Sequence, residues 1–158
     1  MSLEELNSLS DLRAIEEFTR VCGSREWARA MESSRPFESV PELVSRAEEV
    51  WDALSREGKL EAFAAHPRIG DKPASAWSRD EQKAVTDPEI ILKLRSKNRL
   101  YEERFGHVFL ICATGKGAAE ILSELEARLP NPPEREFEIA CLEQVKIMRL
   151  RMEKLLKP

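Results

Sequence analysis

Apolar residues recur along this chain mostly three and four positions apart, the spacing of one face of an α-helix. Ser2 to Asn7 can form a short first turn. Ser10 is a good N-cap, and Leu12, Ile15, Phe18 and Val21 follow it at helical spacing until Gly23, read as the stop. Arg25 to Ser33 forms a second amphipathic stretch around Trp27 and Met31, broken by Arg35-Pro36-Phe37. Ser39 caps a third, with Leu43, Ala47, Val50, Trp51 and Leu54 as its apolar stripe. Glu57 to Ala65 is a short helix ending at His66, because the residue before a proline is pushed out of the α region. Ser78 starts another short helix. Asp87-Pro88 reads as an N-cap with proline at the first helical position, opening a helix from Glu89 to Phe105 that carries Ile90, Leu94, Leu100 and Tyr101, with Gly106 as its C-terminal glycine. Ala118 to Leu129 and Glu134 to Leu156 are the last two helices, separated by the break from Pro130 to Pro133.

One apolar run lacks helical spacing, Val108-Phe109-Leu110-Ile111-Cys112-Ala113. A lone strand would have no partner, so a buried extended segment is expected over Phe109 to Ala113, with backbone groups that must find partners elsewhere. The turn after it, Thr114-Gly115-Lys116-Gly117, has neither the spacing nor the hydroxyl of a phosphate loop and reads as a tight turn before a helix. The pattern therefore predicts an all-α fold: a compact single domain over residues 1–158, of about eight helices, several of them short.

Composition narrows the function classes. At 158 residues one domain is the default, and 42% hydrophobic with 34% charged residues fits an ordered globular protein. The net charge of −4, with both signs interspersed, leaves no basic face for nucleic acid. No apolar run approaches the roughly 20 residues of a membrane helix, and the N-terminus, with Glu4 and Glu5, lacks a basic-then-apolar signal pattern. Cys22, Cys112 and Cys141 are widely spaced among apolar neighbours and read as buried free thiols in a reducing, cytoplasmic compartment. No metal-ligand cysteine pair occurs.

Candidate chemistry centres on Ala65-His66-Pro67-Arg68-Ile69-Gly70-Asp71 and Ser78-Arg79-Asp80-Glu81-Gln82. His66 is one of two histidines, placed at a helix end facing a loop. One loop later come a carboxylate, Glu81, and an amide, Gln82. Imidazole and carboxylate together suffice for proton transfer near neutral pH. Each piece also has a structural reading: a histidine in a last helical turn suits the macrodipole, and Ser78-x-x-Glu81 is a capping box. On the last helix, Arg151 lies among Ile147, Leu150 and Leu155. It either snorkels to solvent or turns its planar fork on a carboxylate or urea-like group. Arg149, two residues away, cannot share its face.

Taken together these stretches resemble the family of 2-oxo-4-hydroxy-4-carboxy-5-ureidoimidazoline (OHCU) decarboxylases. The resemblance is carried by Phe63-Ala64-Ala65-His66-Pro67-Arg68-Ile69-Gly70-Asp71, by Trp77-Ser78-x-x-Glu81-Gln82 and by Asn98-x-x-Tyr101-x-x-x-Phe105-Gly106-x-x-Phe109-x-Ile111-Cys112-Ala113-x-Gly115-Lys116. Cys22-Gly23-Ser24, Arg35-Pro36-Phe37 and Glu143-x-x-Lys146-Ile147-x-x-x-Arg151 add to it. It covers nearly the whole chain, with a loop between His66-Pro67 and Ser78 that is shorter than in some members.

The resemblance implies an all-helical, cofactor-independent carboxy-lyase, typically a homodimer, that converts OHCU to (S)-allantoin in urate breakdown. It implies that His66 acts on the substrate hydroxyl and that Glu81 is its partner in proton transfer. Pro67 would shape the wall, Ser78 and Gln82 would bind ring or ureido groups, Arg151 would hold polar substrate ends, and the main chain of Phe109, Leu110 and Ile111 would pair with planar amides. No metal and no cofactor is expected. The partners expected are a small-molecule substrate and a second copy of the chain, with no nucleic acid and no membrane. Trp27, Trp51 and Trp77, as large apolar surface, add to the expectation of a dimer. Two other classes remain: a non-enzymatic helical interaction module in which His66 and Glu81 only cap helices, and a hydrolase of a related ureido compound.

Overall fold

The structure is a computed structural model and describes residues 1–73 and 75–157. Every regular element among the described residues is a helix: α1 (Leu3–Ser8), α2 (Asp11–Val21), α3 (Arg25–Ser33), α4 (Val40–Ala53), α5 (Arg56–Ala64), α6 (Ala76–Glu81), α7 (Pro88–Phe105), α8 (Ala118–Arg128) and α9 (Pro133–Leu155). The all-α expectation is met. The chain divides into two compact units, one of Met1–Ala65 with Val145–Pro158, the other of His66–Gln144.

In the first unit a serine opens each helix. Ser2, Ser10, Ser24, Ser39 and Ser55 each accept a hydrogen bond from the backbone N–H three residues on, and each such cap is worth about 1 kcal/mol. Helix α3 packs against α2, α4 and α5. Trp27 fills the space between them, edge-on to Phe18 at 5.9 Å, with its indole N–H donated to the Ala47 carbonyl at 3.0 Å. Arg35 closes the end of α1, its Nη1 donating to the carbonyls of Leu6, Asn7 and Leu9.

Several expectations are corrected here. Leu12 is 75% exposed, and the buried face of α2 is Ala14, Phe18 and Val21. Six residues turn a helix by 600°, which leaves Leu12 about 120° from Phe18. Gly23 is not a left-handed helix stop: α2 ends at Val21, with Cys22 extended. A Cβ on Gly23 would lie 2.4 Å from Ala65 Cβ, so glycine is needed for close approach to the residue before His66. Trp27 and Trp51 are buried within this unit's own core and are not spare surface for a dimer.

In the second unit α7 packs against α8. Its core gathers Leu94, Tyr101, Ile111, Ile121 and Leu125 with Ile69 and Phe109. On α7 the buried positions are Leu94, Asn98 and Tyr101, while Leu100 is half exposed, which corrects its place in the stripe. Gly106 caps α7 in the left-handed region at φ 77°, as expected. The run from Phe109 to Ala113 forms neither helix nor strand and is buried apart from Cys112. Its backbone finds side-chain partners: Arg128 Nη1 donates to the Leu110 carbonyl at 2.8 Å, and the Cys112 N–H donates to Glu143 Oε1 at 3.3 Å.

Arg128 also stacks over the Phe109 ring and donates Nε–H to Glu136 Oε1 at 2.7 Å. Glu136 is fully buried, takes the Tyr101 hydroxyl at 2.6 Å and accepts from Asn131 at 3.1 Å. A buried carboxylate persists when paired and fully hydrogen-bonded. Burial first, then the bond to Glu136, raises the Tyr101 hydroxyl well above its ordinary range.

Candidate active site

Helix α5 ends at Ala64, with Ala65 as its C-cap, and Pro67 holds His66 outside the helix. The loop that follows is fastened at several points. Gln82 Oε1 accepts from the Gly70 N–H at 3.2 Å, in a turn where Gly70 has φ 91°. Asn98 Nδ2 donates to the Ile69 carbonyl at 3.0 Å. Arg68 forms a bidentate pair with Glu102, its Nε 2.7 Å from Oε1. The loop therefore presents His66 from a frame fixed by α6 and α7.

The imidazole is half-buried, with Nε2 2.7 Å from Gln144 Oε1. Gln144, on α9, is fully buried. Its neighbour Glu143, also buried, holds the Cys112 N–H. Burial first, then the charges of Glu143 and Glu81, raise the Cys112 thiol above its ordinary value. Both carboxylates therefore act on one side chain of the extended segment. His66 is thus bonded to Gln144 of α9, whose neighbour Glu143 holds the segment at Cys112, and Glu81 lies in the same unit. Such an arrangement offers an imidazole, two carboxylates and an amide for moving protons on a small polar molecule.

Among the residues read from the sequence, Pro67 is half-buried beside His66, and Ser78 is buried in the middle of α6. The capping-box reading of Ser78 is corrected: Ser75 is the cap, accepting from the Ser78 N–H, and donates its own hydroxyl to Ser78 Oγ at 2.8 Å. A serine three residues upstream competes for the same role and wins because it lies outside the helical turn. Gln82 is bound to Gly70. The side chains of Phe109, Leu110 and Ile111 are buried, and the Leu110 carbonyl is already taken by Arg128. Cys22 is buried, but Cys112 and Cys141 are only half-buried; all three are free thiols.

Arg151 is described within the first unit. It is buried and donates to the Arg20 carbonyl at 3.3 Å, near the end of α2. Arg149 is exposed and paired with Glu48. Residues two apart on a helix do not share a face, and of the two arginines it is Arg151 that is buried.

Gln144 was not among the site residues read from the sequence, and Glu143 entered only as part of a family pattern. A polar pair inside a helix of mixed charge gives no signal until the partner, 78 residues away, is in place. An open cavity of about 350 Å³ lined by Arg68, Asp71, Arg95, Asn98, Arg99 and Glu102 includes none of the residues read as catalytic. Its Arg68 and Arg95 are committed to Glu102 and Asp71. Among the described residues, no group of three or more His, Cys, Asp or Glu side chains gathers as a metal site would require.

Comparison with known proteins identifies the fold and family. The chain matches the OHCU decarboxylase family over residues 7–153. It is 39% identical over 151 residues to the uric acid degradation bifunctional protein TTL of Arabidopsis thaliana, covering 89% of this chain but 46% of that protein, so the chain spans about half of that relative's length. It is 31% identical to the OHCU decarboxylase of Amia calva, covering 99% of this chain and 95% of the other. A crystal structure of an OHCU decarboxylase in the presence of (S)-allantoin superposes with a TM-score of 0.82 at 39% identity, over 89% of this chain and 97% of that one. An (S)-allantoin synthase, at 18% identity and TM-score 0.78, shares the fold. The match along both units, with the His66-Pro67 loop and the Glu81 segment inside it, places this chain in the OHCU decarboxylase family.

Proposed function

We propose that this chain decarboxylates OHCU to (S)-allantoin, a step of urate degradation, and does so without a cofactor. The observation that carries the reading is His66, held on a proline-shaped loop and bonded to a buried glutamine, in the unit that also contains Glu81. Family membership, and the relative whose structure was determined in the presence of (S)-allantoin, supply the substrate.

The substrate's name places a hydroxyl and a carboxylate on one ring carbon, next to the carbon bearing the ureido group. When the carbon–carboxylate bond breaks, CO2 leaves and its electron pair spreads into the ring as an enol-like intermediate. The hydroxyl proton is then lost, a carbonyl forms, and a proton is added to the neighbouring carbon. His66 takes the hydroxyl proton, and Glu81 partners it in delivering a proton to one face, giving a single enantiomer. Pro67 shapes the wall. Ser78 and Gln82 bind ring or ureido groups, and the backbone of Phe109 to Ile111 faces the planar amides. Arg151 binds a polar end of the substrate; its burial, against the exposed Arg149 paired with Glu48, supports this role over one for Arg149.

We read residues 1–158 as one functional domain, because the family match runs through both units. The family habit supports a two-fold homodimer, and the free thiols support a reducing, cytoplasmic compartment. No described helix is long and apolar enough to cross a membrane. The reading is tested by following ¹³CO2 release from carboxylate-labelled OHCU, expected well above the spontaneous rate. Release at the spontaneous rate would remove it. Light scattering at micromolar concentration tests the dimer, and a monomer mass would count against it.

A further inference from the structure

Gln144, with Asn98 and Arg128, is a buried side chain of the second unit that leaves a polar atom without a hydrogen bond among the described residues. It has no solvent exposure, and its Oε1 lies 2.7 Å from His66 Nε2. Its own Nε2 has no hydrogen-bond partner among the described residues. An unpaired buried amide donor destabilises a fold relative to an apolar side chain of similar shape. Glutamine at this position is therefore a poorer choice for the fold than leucine or methionine. What it provides, and they cannot, is the hydrogen bond to the imidazole.

We infer that Gln144 is a positioning residue for His66. Its Oε1 accepts the Nε2–H of the ring, which fixes the rotation of the imidazole and holds it in the Nε2–H tautomer. The basic lone pair is then on Nδ1, the nitrogen that would take the hydroxyl proton of the substrate. The partner of one ring nitrogen decides which nitrogen is basic, as with the orienting partners of metal-binding histidines. A neutral amide does this without adding a charge beside the ring. This inference rests on the reading of His66 as the residue that handles the substrate hydroxyl.

Three variants test it, with ¹⁵N-labelled histidine for the ring nitrogens and His66→Ala to assign their signals. In the wild type His66 is expected to show one protonated and one unprotonated nitrogen, Nε2 and Nδ1 respectively. Gln144→Leu and Gln144→Met remove the acceptor. In both, the two ring nitrogens should average between tautomers, and kcat should fall about ten- to a hundredfold with KM little changed. Melting temperature should stay level or rise. Gln144→Glu keeps an acceptor on Nε2–H and should restore the wild-type tautomer.

An unchanged tautomer in both apolar variants would overturn the inference, whatever happens to kcat. So would an averaged tautomer with wild-type kcat, or failure of both apolar variants to fold, since an unpaired buried glutamine is unfavourable to stability. If the wild type does not accelerate decarboxylation at all, the functional reading fails. The tautomer comparison still decides the role of Gln144.

Discussion

The two units of this chain bury different things. In Met1–Ala65 with Val145–Pro158, the interior is almost entirely apolar, and Ser24 and Arg151 are its buried polar residues. In His66–Gln144, Ser78, Asn98, Arg128, Glu136, Glu143 and Gln144 are all buried. Buried polar groups add little net stability even when paired, and are expensive when they are not. The first unit is built by the rules that make helices stable: serine caps, aromatic packing and surface ion pairs. The second carries a polar interior that those rules would not choose.

Within that second interior a further contrast appears. Around Glu136 both carboxylate oxygens are taken, by Tyr101 and Arg128 on one and Asn131 on the other. This cluster binds α7, α8, α9 and the extended segment together and has the marks of a structural network. Beside His66, Gln144 Nε2 has no hydrogen-bond partner among the described residues. The one cluster is built on a buried ion pair and the other on a neutral amide beside a half-buried imidazole, and substitutions in the two should separate stability from chemistry.

The largest expected effect is on turnover. His66→Ala and Glu81→Ala should each lower kcat by about 10²–10⁴-fold while far-UV circular dichroism and melting temperature hold. Near-wild-type turnover in both would remove their assigned roles. Glu136→Ala is the counterpart. It strands the Arg128 charge and should cost about 3–5 kcal/mol of stability, read from urea unfolding; a loss below about 1 kcal/mol would mean that the cluster is not structural.

Next comes Arg151→Ala, expected to lower kcat/KM roughly tenfold to a hundredfold, the equivalent of about 1.5–3 kcal/mol for a charged hydrogen bond. Arg149→Ala should change it little. The reverse pattern would turn the assignment of α9 around.

Smaller still is a pH effect in the first unit. Burial, opposed by a backbone hydrogen bond from Ser24 and by the Arg151 charge, pushes the Cys22 thiol from 9.0 up to about 12. Above pH 9 the unfolded chain loses a thiol proton that the folded chain keeps. Stability therefore falls as pH rises from about 9 toward 12, by up to about 1.4 kcal/mol per pH unit from this group. Cys22→Ala should flatten that decline between pH 9 and 11 in thermal melts; an unchanged slope would contradict it.

Much of this was legible in the sequence, and what was missed has physical causes. Helix existence was readable because Ser10 and Ser39 cap and Gly106 stops where local chemistry requires. His66 and Glu81 stood out as candidates because His66 precedes a proline and Glu81 follows one loop later. Leu12 and Leu100 were misplaced because a three-residue spacing drifts around a helix, and apolar type alone does not say which side is covered. Ser75 was missed as a cap because Ser78 offered the better motif. Gln144 left no trace, since its meaning depends on a contact across 78 residues of sequence.

The most direct measurement is the circular dichroism of freshly generated OHCU as it decays with and without the purified chain. If the polar interior of the second unit is decarboxylation machinery, the protein should speed the loss of the substrate signal and leave the stable dichroism of (S)-allantoin. A decay identical to the protein-free control, ending in a racemate without dichroism, would contradict the account.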